Sequence, residues 1–132
     1  MTTPLRRFPD VQRALVTILE PLAGAGRAGV ETPTDLQAKL PFIRVLRIGG
    51  GSDRLSDFAV VDVDVFAASY GAAELLAERV RQLLTGPPLR AGAAVLDRIT
   101  CDSGPVELPW APGVRRFGAT YQVTARRYTT SI

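Results

Sequence analysis

The segment from Phe58 to Leu84 changes its hydrophobic period from two residues to 3.6, and this change constrains the fold more than any other feature. Its first part alternates apolar residues with Asp62 and Asp64, and the apolar positions are Val61, Val63 and Val65. Its second part repeats apolar residues at helical spacing, at Leu76, Val80, Leu83 and Leu84. A half-buried strand that leads into an amphipathic helix predicts a two-layer α+β domain.

An earlier helix is predicted to begin at Pro9 or Asp10, where the Asp10 side chain can cap free backbone amides. Its apolar stripe comprises Val11, Leu15, Ile18 and Leu22. We expect Pro21 and the Gly24 to Gly26 run to end it.

The helix after the long strand is predicted from about Ala72 to Leu84, with Ser69 as a possible cap. Gly86 and the two prolines that follow it forbid its continuation. The remaining strands are predicted at Val30–Thr32, Phe42–Ile48, Ala94–Cys101 and Phe117–Arg127. The order α-β-β-β-α-β-β therefore predicts a mainly antiparallel sheet with both helices on one face.

Two loops are expected to be prominent. Gly49 to Gly51 indicates the turn of a long hairpin that returns at Asp57, and Gly104 to Gly113 is a loop that carries the only Trp. If the hairpin is centred near Ser52 or Asp53, Arg44 lies close to Asp62 or diagonal to Asp64 on the polar face.

The closing strand also has two faces. One is apolar, with Phe117, Ala119, Tyr121, Val123 and Ala125, and the other is polar, with Thr120, Gln122, Thr124 and Arg126. Because the apolar face is expected to be buried, its two aromatic rings would not stack on nucleic-acid bases.

The chain has 132 residues, enough for one domain, with short flexible ends at about 1–8 and 128–132. It contains no His, which excludes His-based acid–base and nucleophilic catalysis and imidazole metal ligation. Cys101 lies in a strand pattern and is interpreted as a packed thiol. We expect no catalytic, cofactor-binding or metal site, and therefore no enzyme.

Charge gives little support to nucleic-acid binding. The net charge is +3, and the 16 cationic residues are Lys39 and fifteen scattered arginines. Arg suits protein interfaces and phosphate equally well. The segment Met1 to Phe8 has no apolar run after it, and no apolar stretch is long enough to span a bilayer, so no membrane association is expected.

Several polar or aromatic residues are candidates for contacts with partners. Asp62 and Asp64 lie roughly 7 Å apart on one strand face, which favours a solvated or Arg-paired surface over a metal site. Trp110 is either a lid on the core or an exposed interface anchor. Arg115 and Arg116 follow it in the same region.

The succession of elements over about residues 8–127 resembles the tail terminator proteins of long-tailed bacteriophages. The resemblance lies in the first helix, Pro41 to Val45 with Gly49 and Gly50, the strand from Phe58 to Ala67 before an Ala-rich helix, and the Phe117 to Val123 strand. It carries over no catalytic residue.

The resemblance implies a structural virion protein at the head-proximal end of the tail, assembled in the host cytoplasm. A ring, expected to be a hexamer, would cap the tail tube, stop its polymerisation and dock the head-side connector, while DNA passes through the lumen unread. Its interface candidates are Arg44, Asp62, Asp64 and Arg126 on the polar face, and Trp110, Arg115 and Arg116 for contacts with tail or neck proteins.

Three alternatives remain at this point. The chain could be another neck component, such as a tail completion or head-closure protein. It could be a small nucleic-acid-binding α+β domain, supported only by its basic character. A small-molecule enzyme would have to work with carboxylates, Arg and Tyr alone.

Overall fold

A computed structural model describes residues 4–131, in which two helices cover one face of a six-stranded sheet. The helices are α1 (Val11–Ala23) and α2 (Tyr70–Leu84), and a 3₁₀ helix spans Leu36–Lys39. The strands are β1 (Pro4–Arg7), β2 (Ala28–Gly29), β3 (Phe42–Ser52), β4 (Ser56–Ala67), β5 (Leu89–Ala91), β6 (Ala94–Leu108), β7 (Arg115–Arg126) and β8 (Tyr128–Ser131). The predicted α+β class and the order of its principal elements are confirmed.

The sheet has the strand order β2-β3-β4-β7-β6-β5. Only the short β2 pairs in parallel, with β3, and all other neighbours are antiparallel. Strands β1 and β8 form a separate two-stranded ribbon. The prediction of a mainly antiparallel sheet is therefore correct.

Both helices begin at the capping residues that the sequence indicates. Asp10 accepts a hydrogen bond from the backbone amide of Arg13 at 3.0 Å, and Ser69 accepts one from the amide of Ala72 at 3.2 Å. These bonds satisfy amides that have no partner within the helix. Helix α1 continues two residues past Pro21, so Gly24, with a φ of 116°, rather than Pro21 marks its end.

The main core lies between the helices and the sheet, and it contains the alternating apolar residues of β4 and β7. Val61, Val63 and Val65 are at most 2% exposed, and Tyr121 is fully buried. Leu15 and Leu19 of α1 and Ala73 and Val80 of α2 complete the same cluster. The strand–helix unit therefore forms this core as predicted.

The hairpin of β3 and β4 differs from the prediction at its glycines. Gly49 to Gly51 continue β3 beyond a bulge that follows Arg47, instead of forming the turn. Gly50 has a φ of 118°, and a Cβ there would lie 1.9 Å from the Phe58 carbonyl oxygen. Glycine thus lets the two strands approach, and the turn falls at residues 53–55.

Other strand boundaries also differ. The strand predicted at Val30–Thr32 is wrong. The observed strand, β2, lies earlier in the chain, at Ala28–Gly29, and pairs with Ile43 and Arg44 of β3. Strand β6 continues beyond its predicted end at Cys101 as far as Leu108. This extension contains two register shifts, and Gly104 within it has a φ of 93°. The loop before β7 is therefore shorter than the predicted Gly104–Gly113 segment.

Three short strands were not predicted: β1, β5 and β8. Residues 4–7 pair with residues 128–131, although both segments are expected from the sequence to belong to flexible ends. Residues 1–3 and 132 of those ends lie outside the described part of the chain. Within residues 4–131, neither helix has the length and apolar character needed to cross a membrane.

Candidate functional site

The sheet face that points away from the helices holds a charged cluster centred on Asp64. In the strand register Arg44 of β3 lies directly opposite Asp64 of β4. Arg44 Nη2 lies 2.7 Å from Asp64 Oδ2, and Arg116 Nε lies 3.2 Å from Asp64 Oδ1. Each carboxylate oxygen thus has its own guanidinium partner, and Asp64 is only 3% exposed.

Gly118 provides the space for this carboxylate. It lies opposite Asp64 on β7, and a Cβ at this position would stand 2.6 Å from Asp64 Oδ1 and 2.7 Å from a methyl carbon of Leu108. A larger residue would therefore force the carboxylate or Leu108 to move.

Trp110 lies on top of this arrangement. Its ring meets Phe66 edge-on, with the centroids 4.9 Å apart. The guanidinium carbons of Arg44 and Arg116 lie 5.6 and 5.3 Å from the Trp110 ring centroid, within range of cation–π attraction. We call Arg44, Asp64, Phe66, Trp110 and Arg116 the Trp110 cluster.

The two interpretations of Trp110 are not exclusive. The ring covers Phe66, which is fully buried in a second small core with Leu36, Phe42 and Val114. Trp110 nevertheless remains 43% exposed. The lid interpretation is thus correct for one side of the ring, and the interface interpretation stays a prediction for the other.

Asp62 and Asp64 do not have equivalent surroundings. Asp62 is half-buried and accepts a hydrogen bond from the Thr120 hydroxyl at 2.7 Å. Asp64 is Arg-paired, as one of the two expected arrangements has it, and two arginines and the neighbouring strands enclose it. Arg44 pairs with Asp64 rather than Asp62 because the hairpin turn lies later in the chain than expected.

Arg115 and Arg126 lie outside the Trp110 cluster. Arg115 Nε donates to Glu107 at 2.7 Å, and its guanidinium carbon lies 5.4 Å from the Tyr70 ring centroid. Arg126 Nε donates to Asp97 at 3.0 Å. The hydrogen bond from Arg115 lowers the pKa of Glu107. Both pairs are exposed, where ion pairs contribute little to stability.

One ion pair with a buried carboxylate was not predicted. Asp57, 5% exposed, accepts hydrogen bonds from Arg47 Nη1 and Nη2 at 2.6 and 2.8 Å. This hydrogen bonding raises the pKa of Arg47. Asp57 is in phase with Ala59 and Val61, the buried apolar residues of β4, and periodicity alone does not reveal its charged partner across the hairpin.

The side chains of Tyr121 and Cys101 are fully and partly buried, respectively. Burial raises the pKa of the Tyr121 hydroxyl well above its usual value. Cys101 is half-buried, and its thiol lies 3.6 Å from the Gly104 carbonyl oxygen, as expected of a packed thiol. Among residues 4–131, no three His, Cys, Asp or Glu side chains are grouped as metal ligands. The site is a charged framework that holds one exposed aromatic ring.

Comparison with known proteins identifies the family. No curated protein sequence shows a significant match to this chain. A chain in the solved virion of a native gene transfer agent (GTA) particle has the same fold, with a TM-score of 0.62 and 17% sequence identity. The match covers 88% of this chain and 94% of that chain. The model of a family described as phage tail termination protein matches residues 7–127. This chain therefore belongs to the phage tail termination protein family.

Proposed function

We propose that this protein is the tail terminator of a phage-like particle and forms a ring of six subunits on the head-proximal end of the tail tube. The ring stops polymerisation of the tube and provides the docking surface for the head-side connector. The observation that carries this proposal is the family match over residues 7–127, because membership of this family makes the chain a structural tail protein.

The fold supports the same role. The solved chain with this fold belongs to the virion of a gene transfer agent particle. In such a virion the terminator would contact tail tube protein on one side and a neck protein on the other. DNA would pass through the lumen without sequence-specific contacts.

The Trp110 cluster supports a contact with one of these partners. An exposed aromatic ring held by packing and by two guanidinium groups loses little conformational freedom when it binds, which is typical of an interface anchor. In this proposal Trp110 contacts a tail or neck protein, while Asp64, Arg44 and Arg116 orient it. Asp62, Arg115 and Arg126 remain candidates for contacts at the edges of this surface.

Gold-labelled protein mixed with purified tail tubes tests the proposal by electron microscopy. We expect label at one end of each tube and no further tube growth when tube protein is added. Trp110→Ala should reduce end labelling, whereas Leu5→Ala, which shortens another exposed side chain, should not. Wild-type protein that never labels tube ends would overturn the proposal, and label found only on isolated necks would favour a different neck component.

A further inference from the structure

The β3–β4 hairpin ends in an exposed apolar tip. Every residue from Arg47 to Leu55 is exposed. The large apolar side chains here are Ile48, Leu55 and Phe58, with exposures of 56%, 66% and 45%. Single apolar residues are common on protein surfaces, but here three lie at one end of a hairpin. We call residues 48–58 the hairpin tip.

The tip has a defined shape. Asp53 Oδ1 accepts hydrogen bonds from the amides of Leu55 and Ser56 at 2.8 and 2.7 Å. The Asp53 amide donates to the Ser56 carbonyl at 2.9 Å. These bonds hold Leu55 on an ordered turn, so less conformational entropy is lost when it docks. They also lower the pKa of Asp53.

An apolar groove lies at the other end of the same hairpin. It encloses about 320 Å³ between the end of α1 and the first half of α2. Its lining residues include Leu22, Leu40, Pro41, Ala68, Ala72 and Leu75. A cavity of about 150 Å³ already accepts a benzene molecule. The groove therefore has room for one or two aliphatic side chains.

A chain cannot fill its own groove with its own tip. The groove lies where β3 begins and β4 ends, at Pro41 and Ala67, and the tip lies where β3 ends and β4 begins. Strand β3 has 11 residues, which separates the two sites by roughly 35 Å at the usual rise per residue. If a hairpin tip fills the groove, that tip must therefore belong to a second copy of the chain.

One charge beside each site is complementary to the other. The tip carries Asp53, next to Arg54, and Arg79 lies in the lining of the groove. None of these three side chains belongs to a salt bridge within residues 4–131. Arg79 can therefore pair with Asp53 of an incoming tip, which favours a defined register.

We propose that the hairpin tip of one subunit inserts Leu55 into the groove lined by Leu75 of the next subunit. The contact joins two different surfaces of the same chain, and repetition of such a contact closes a ring when its rotation permits. This inference rests on the proposed terminator ring and names the surfaces that build it.

Paired variants test the contact. Leu55→Asp alters only the tip, and Leu75→Asp alters only the groove; both side chains are at least half exposed, so each variant should fold. Leu5→Asp is the matched control, since Leu5 is 40% exposed and belongs to neither surface. Circular dichroism checks the fold, and light scattering measures the mass with and without tail tubes.

Wild type and Leu5→Asp should assemble equally, in solution or on tube ends. Each tip or groove variant alone should remain a single chain, with self-affinity lowered about tenfold or more, because a buried leucine becomes a buried charge. An equal mixture of the two variants should give pairs, since one intact tip still meets one intact groove. Pairs that do not grow further are the signature of a contact between two different surfaces.

Three results would overturn the contact: variants that assemble like wild type, a mixture that stays monomeric, or a control that fails equally. Absence of assembly by wild type both in solution and on tubes would also overturn it. Variants that assemble and still label tube ends would leave the terminator function standing without this contact. Wild-type rings that never reach a tube end would instead overturn the function and keep the contact.

Discussion

The two faces of the central sheet are stabilised by different interactions. The helix-covered face is a continuous apolar core in which Leu15, Leu19 and Tyr121 are fully buried. The opposite face has a small apolar core at one end, the Asp64 ion pairs beside it, and exposed apolar residues at the hairpin tip. One face thus specifies the fold, whereas the other fixes the positions of groups that remain accessible to partners.

The largest loss of stability should follow a substitution in the core of the helix-covered face. Leu19→Ala removes a fully buried side chain from α1, and truncations of this kind lower the free energy of unfolding by about 2–5 kcal/mol. Urea titration followed by circular dichroism measures the change. Leu75→Ala, at a half-exposed position, is the control and should change it by less than about 0.5 kcal/mol. Equal losses in both variants would contradict the conclusion that the buried core of this face, and not the exposed surface of its helices, specifies the fold.

An intermediate loss of stability is expected when Asp64 is replaced. Asp64→Ala leaves the guanidinium groups of Arg44 and Arg116 without their shared carboxylate. Breaking a buried pair costs about 3 kcal/mol or more, and we expect roughly 2 kcal/mol here because the two arginine side chains retain 15% and 21% exposure to water. The fluorescence of Trp110, the only Trp, should shift in the folded variant because the ring loses its fixed neighbours.

Asp62→Ala is the matched control for that variant. It removes one hydrogen bond, from Thr120, and should lower the free energy of unfolding by about 1 kcal/mol. The same urea titration compares the two carboxylates. If Asp64→Ala lowers the free energy of unfolding no more than Asp62→Ala does, the ion pairs contribute little beyond an ordinary hydrogen bond.

The smallest change in stability is expected when Arg126 is replaced. Its side chain is 60% exposed, and it pairs with Asp97 on the surface. Arg126→Ala should leave the urea midpoint unchanged within error, because exposed ion pairs are screened by water and salt. A shift larger than that of Asp62→Ala would mean that the open face contributes to stability well beyond the Trp110 cluster.

The helix-covered face could be predicted from the sequence because periodicity reports burial directly. The alternation at Val61, Val63 and Val65 and the helical spacing in α2 each imply one apolar surface. The caps Asp10 and Ser69 were identified correctly because their chemistry is local. These features depend on residues close together in the chain, and they determine most of the fold.

The opposite face was predicted less well because its arrangement depends on register. One residue of difference in the hairpin turn decides whether Arg44 meets Asp62 or Asp64. The bulge after Arg47 has no periodic signal. Phe66 falls on the face expected to be polar, and its burial depends on Trp110, a residue far away in sequence.

The single lysine of this chain has a practical consequence. Lys39 ends the 3₁₀ helix and immediately precedes Leu40, which lines the groove. Besides the α-amino group, amine-reactive dyes therefore label one side chain, and that side chain borders the proposed docking groove. A fluorophore attached there should change its emission when a neighbour arrives, which makes subunit addition observable in real time without an engineered label site.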